Sequence, residues 1–189
     1  MKSFRIGLIV IVSAFVATRA ATAQQTLATA AQTRTSAIVA SFNKSKHVVK
    51  ERRGVRREKY NDVRSQPVVK ANPQDYLGTY EVPDLGFGVQ LRVDRGGNVQ
   101  GNGYEPVNVD GSVRRRFTLK DGRIQGALLI ATQVYEDATQ DRFEGVFMNR
   151  TSYDSPTDSG TTEFGLGVIG KDVGVGGLTV NRFFYQLTQ

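Results

Sequence analysis

The chain has no cysteine, no tryptophan and a single histidine, His47, in 189 residues. Without cysteine there is no disulfide, no thiol nucleophile and no thiolate metal site. Nor is there an attachment point for a lipid behind an export signal. With one histidine, a serine–histidine pair has to recruit His47 from a strongly basic stretch. Neither a G-x-S-x-G elbow nor an H-E-x-x-H zinc motif occurs. Gly174-Val175-Gly176-Gly177 leads into a strand pattern, so it lacks the helix N-terminus that makes a glycine-rich loop a phosphate cradle. Catalysis is left to carboxylates alone, which needs two acids at a suitable separation. Glu136 and Asp137 are neighbours in a turn pattern where solvated charge is expected. The side-chain inventory therefore points to a non-enzyme and implies no cofactor.

Long apolar runs are also missing, apart from residues 6–17. Twelve residues make about 18 Å of helix, against a hydrocarbon core of about 30 Å. Lys2 and Arg5 precede the run, and Ala21-Thr22-Ala23 follows it with a small-x-small pattern. Residues 1–23 thus read as a signal peptide cleaved near Ala23–Gln24. The expected product is secreted or periplasmic, with no transmembrane segment after cleavage.

The formal charge of +7 is unevenly spread. Residues 44–70 hold ten basic residues against Glu51, Glu58 and Asp62, whereas residues 71–189 hold eleven basic and fifteen acidic ones. Residues 24–71, Ala/Thr-rich and then basic, are expected to form a disordered or partly helical linker, since so much charge accompanies so little apolar surface. Besides solvating the linker, Lys44, Lys46, Lys50, Arg52, Arg53, Arg56, Arg57 and Lys59 are candidates for contact with an anionic envelope surface. Nucleic acid is the weaker partner. Tyr60 is the sole aromatic of the stretch, and stacking platforms need several.

From Leu77 onward the pattern changes to short alternating runs. Eight are expected: Leu77–Val82, Phe87–Asp94, Asn98–Tyr104, Val113–Leu119, Arg123–Tyr135, Gln140–Arg150, Thr161–Ile169 and Leu178–Leu187. Arg95-Gly96-Gly97-Asn98 and Lys120-Asp121-Gly122 read as hairpin turns. Asn72-Pro73-Gln74-Asp75-Tyr76 reads as a capped helical turn feeding the first strand. Glycines inside strands, such as Gly101, Gly103, Gly145, Gly165 and Gly167, relieve crowding where a barrel bends or an aromatic crosses. The fold class is all-β: an antiparallel meander of about eight strands over 72–189, closed or nearly closed into a barrel.

Gly78-Thr79-Tyr80, a hairpin, then Gly101-x-Gly103-Tyr104 resembles the opening strands of avidin-like and lipocalin-like barrels. That resemblance implies a small apolar ligand in the barrel mouth, although the tryptophan both families use is missing here. Tyr76 to Glu81 also resembles the start of small β-domains appended to secreted hydrolases, which implies an accessory role.

Four polar residues fall in apolar register: Arg115, Thr132, Asn149 and Arg182. If those faces line a lumen, they are candidates to orient a small ligand, with the arginines attracting an anionic group. The alternatives are a register break at a bulge, or arginines paired with carboxylates at the rim. Asp154 and Asp158, in the oxygen-rich loop before Thr161, are weak calcium candidates, because that composition also serves an ordinary turn. Asn149-Arg150-Thr151 matches a glycosylation sequon.

Overall fold

The computed structural model describes residues 25–52, 55–82, 86–107, 113–172 and 179–187. The expected signal peptide, residues 1–23, lies outside them. Among the described residues no helix is long and apolar enough to cross a membrane.

Eight strands form the barrel: β3 Gly78–Val82, β4 Phe87–Val93, β5 Asn98–Pro106, β6 Arg114–Gln125, β7 Leu128–Tyr135, β8 Gln140–Tyr153, β9 Thr161–Asp172 and β10 Thr179–Gln186. Each pairs antiparallel with the next, and β10 returns to β3, so the meander closes on itself. Closure leaves no edge among these eight strands where they pair on both sides. The alternation that marked β4 is the alternation seen: Phe87, Val89, Leu91 and Val93 are buried, and Gln90 and Arg92 are exposed.

One expected turn is different. Lys120-Asp121-Gly122 stays inside β6, where the register with β7 shifts between Lys120 and Arg123 and Asp121 takes a φ of 52°. It is a bulge that bends the strand. The reversal comes at Gly126-Ala127, with Gly126 at a φ of 64°.

The floor of the barrel is sealed from below. Asn72 caps a short 3-10 turn, Pro73–Tyr76, that delivers Tyr76 beneath the strands. Its ring stacks on Phe147 with centroids 4.2 Å apart. Its hydroxyl donates towards the carbonyls of Val68 (2.9 Å) and Gly126 (3.1 Å) and accepts from the Lys70 amide (2.7 Å). Above it, Tyr80, Leu91, Val99, Leu119, Leu129 and Phe147 fill the lower lumen, followed by Val89, Phe117, Phe143, Leu166 and Phe184. Phe117 crosses the wall where β5 has Gly103: a Cβ there would overlap the ring and lie 2.6 Å from the Gly88 carbonyl oxygen.

The segment ahead of the barrel, expected as a disordered or partly helical linker, is helical in its first part and forms strands in its basic part. Residues 25–42 form helix α1. Its many alanines favour helix, and Thr29, Thr33 and Thr35 satisfy their hydroxyls on carbonyls one turn back. Ile38, Val39 and Phe42 pack on the barrel's outer wall against Ala127, Leu128, Val146, Met148 and Phe183. Arg34 clamps the docking through two hydrogen bonds to Glu144, at 2.8 and 3.0 Å.

The basic stretch is a β-hairpin, β1 Lys44–Arg52 and β2 Val55–Pro67. It is held because β8 is longer than the barrel wall is high. The first half of β8 pairs with β7, and Met148–Tyr153 pairs with β2. A free strand edge offers backbone partners whatever the side-chain composition, and this outweighs the low apolar content of β2.

Candidate functional site

Antiparallel register puts every second residue of each strand into the lumen. At the end opposite Tyr76 the inward series becomes polar. β5 ends on Glu105, directly opposite Arg115 of β6. Arg115 Nη2 donates to Glu105 Oε1 at 3.1 Å, and Gln133 Nε2 of β7 donates to Glu105 Oε2 at 3.2 Å. The Arg115 guanidinium lies over the Tyr135 ring, 3.4 Å from its centroid. Burial, and then the Glu105 charge, push the Tyr135 hydroxyl well above the ordinary tyrosine pKa.

Across the mouth, β10 carries Arg182 two residues before the lumen-filling Phe184. Its Cζ is 5.9 Å from the centroid of Phe87, which meets Phe184 edge-on at 6.0 Å. Arg182 Nε is buried with no hydrogen-bond partner among the described residues. Burial lowers its pKa from the ordinary arginine value. The mouth thus holds one arginine whose charge is answered by Glu105 and a second, on an aromatic wall, whose Nε is not answered among the described residues. Such an arrangement can accept an anionic or hydrogen-bond-accepting group.

Of the four sequence candidates, the structure brings Arg115 and Arg182 to this mouth. Thr132 is elsewhere: it follows Leu128 and Ile130 on the outer wall, whereas Leu129, Ala131, Gln133 and Tyr135 face in. Both faces of β7 are apolar, because α1 covers the outside, so hydrophobicity could not say which face was the lumen. Asn149 follows Phe147 in register but is exposed, having passed beyond the floor. Glu105 and Gln133 escaped the sequence reading. Glu105 shares the alternation of Val99, Gly101 and Gly103, where two glycines blur the apolar signal.

The remaining candidates sit away from the mouth. Asp158 accepts amide hydrogen bonds from Gly160 (3.1 Å) and Asp154 (3.2 Å) within its own loop, the Gly160 bond foremost in lowering its pKa. Its carboxylate is used by the turn, and no group of three acidic or histidine side chains suited to a metal occurs among the described residues. Glu136 and Asp137 are exposed in the β7–β8 turn. Lys44, Lys46, Lys50 and Lys59 are exposed on the hairpin; Arg52, Arg56 and Arg57 are placed by backbone register alone, and Arg53 lies outside the described residues. His47, also on the hairpin, meets Tyr60 edge-on at 5.9 Å. The barrel agrees with the architecture implied by the avidin-like and lipocalin-like resemblance, but no protein-family model, no curated protein and no solved structure matches this chain.

Proposed function

We propose that the protein is an exported, non-enzymatic binding module that holds a small amphipathic anion at the barrel mouth. The observation that carries this reading is Arg182, whose Nε is buried on an aromatic wall without a partner among the described residues. A guanidinium in that position costs free energy unless something accepts its hydrogen bonds. Phe87 and Phe184 form the buried aromatic wall beneath Arg182, while Arg115 and Gln133 are already engaged by Glu105 and leave Arg182 as the mouth's unanswered cation among the described residues. Together they suit a ligand with an apolar body and one anionic head.

An anilinonaphthalene sulfonate is such a molecule and reports its own desolvation by fluorescence. Wild type is expected to bind it with one-to-one stoichiometry. Arg182→Met should weaken binding about 10- to 100-fold, the worth of a charge-assisted hydrogen bond. Arg182→Lys should keep part of it, and Arg92→Met, on the exposed face of β4, should keep all of it. Equal affinity in wild type and Arg182→Met would remove the mouth from consideration.

A further inference from the structure

The β1–β2 register sorts the hairpin's charge by face. Residues directly opposite in an antiparallel pair share a face. Lys44 is opposite Val63, Lys46 opposite Asn61, Val48 opposite Lys59 and Lys50 opposite Arg57. One face therefore carries Lys44, Lys46, Lys50 and Lys59, all exposed, and no acidic residue. The register positions of Arg57 and Arg52 continue that series. At the register positions of the reverse face Ser45 stands opposite Asp62, His47 opposite Tyr60, Val49 opposite Glu58 and Glu51 opposite Arg56. All three acids of the basic stretch fall at register positions of that side.

The lysine-bearing alternation of β2 runs on through Val63 and Ser65 to Pro67. Pro67 lines an apolar groove of about 600 Å³ between α1 and the β6–β7 turn, together with Leu27, Ala31, Val69 and Ala127. Two of the groove's aliphatic side chains stand in solvent: Leu27 is 64% exposed and Val69 is 69% exposed. The lysine positions and the groove therefore belong to the same side of β2, with the buried Val63 and Ser65 between them.

We propose that the lysine face of the β1–β2 hairpin and the groove beside α1 form one docking surface for an anionic lipid bilayer. A planar anionic surface touches the hairpin from one side only, and the acids fall at register positions of the side turned away. A nucleic-acid groove would enclose the ribbon and bring Glu51 against phosphate. Tyr60, the aromatic available for stacking on a base, is on the reverse face against His47. Lysines act as point charges near headgroups, and Leu27 and Val69 enter the acyl boundary. The proposal is independent of the mouth, since none of these residues lines the lumen.

The test is co-sedimentation of the purified full chain with phosphatidylcholine vesicles, with and without phosphatidylglycerol, the N-terminus being read by mass spectrometry. The measured quantity is the gain in binding on adding phosphatidylglycerol. It should fall sharply with salt and shrink about fivefold per lysine removed, or on the order of several hundredfold in the Lys44, Lys46, Lys50 and Lys59→Gln variant. The four Lys→Arg changes should keep it, as should Glu51→Gln. Leu27→Ser with Val69→Ser should reduce it while circular dichroism stays unchanged. The same gain in wild type and the Lys→Gln variant would overturn the proposal. So would binding confined to a duplex oligonucleotide and abolished by those four changes.

Discussion

A carboxylate enclosed in an aromatic barrel has to be neutralised where it stands, and Glu105 takes one hydrogen bond from Arg115 and another from Gln133. Removing it takes away the acceptor that Arg115 Nη2 and Gln133 Nε2 share. Glu105→Ala is expected to destabilise the protein by about 1–3 kcal/mol in urea titration, discounted for the partial exposure of Arg115. A loss no larger than that of an exposed control such as Glu136→Ala would mean that water already serves these donors. Arg182→Met should behave in the opposite way and leave stability unchanged or raise it, because it removes a buried polar atom with no partner among the described residues. At this scale the sequence was half legible. Arg115 and Arg182 stood out as charges among Val and Phe. Gln133 did not, because its strand has apolar residues on both faces and neither alternation looks like the interior.

Three of the contacts that dock α1 on the barrel's outer wall give separate tests. Phe42 meets Phe183 edge-on at 6.5 Å and packs beside Gly167, where a Cβ would come within 2.6 Å of Met148 Cε and 2.9 Å of the Phe42 ring. Phe42→Ala is expected to cost about 3 kcal/mol, and Gly167→Ala about 1–3 kcal/mol by overpacking. In both variants amide exchange should accelerate over residues 25–42 while β4 and β5 stay protected. Uniform acceleration over the barrel would show that helix and barrel open as one unit. The third contact titrates. The hydrogen bonds from Arg34, with Arg142 nearby, hold the Glu144 pKa below its ordinary value despite the opposing effect of burial. A depressed carboxylate pKa adds stability above the unfolded value of about 4.3 and loses it as pH falls through the folded value. Wild type should therefore exceed Glu144→Gln in stability near neutral pH, and the gap should close in acid below about pH 4. A gap that stays constant with pH would assign the effect to packing. Elements were legible where their signal was local: the Gly96-Gly97 hairpin and the Asn72 cap both appear as read. The hairpin β1–β2 was not legible. Its pairing depends on the overhang of β8, some ninety positions later, and nothing in a run of lysines and arginines reports it.

The physical unit is larger than the barrel. A boundary at residue 72 separates the strand-rich region from the basic one by composition, yet contacts cross it at three places. The Tyr76 hydroxyl under the floor is bound to Val68 and Lys70, β2 continues the sheet along β8, and α1 buries Leu128, Val146, Met148 and Phe183. A chain starting at Ala71 keeps all eight barrel strands and their closure. It also bares four large apolar side chains on one wall and the backbone edge of β8 from Met148 to Tyr153. An unpaired edge next to an apolar patch is a template for association. The shortened chain is thus expected to elute as oligomers in size-exclusion chromatography and to unfold at a lower temperature than the full chain. Supplying residues 25–67 as a separate peptide should restore the monomer by refilling both the wall and the edge. A monomeric shortened chain of undiminished melting temperature would show that the eight strands alone suffice, and would return α1 and the hairpin to the status of an appendage. The packing argues for the other outcome. The outer wall of β7, β8 and β10 presents Leu128, Val146, Met148 and Phe183, which α1 buries, while the lumen buries the other face of the same strands.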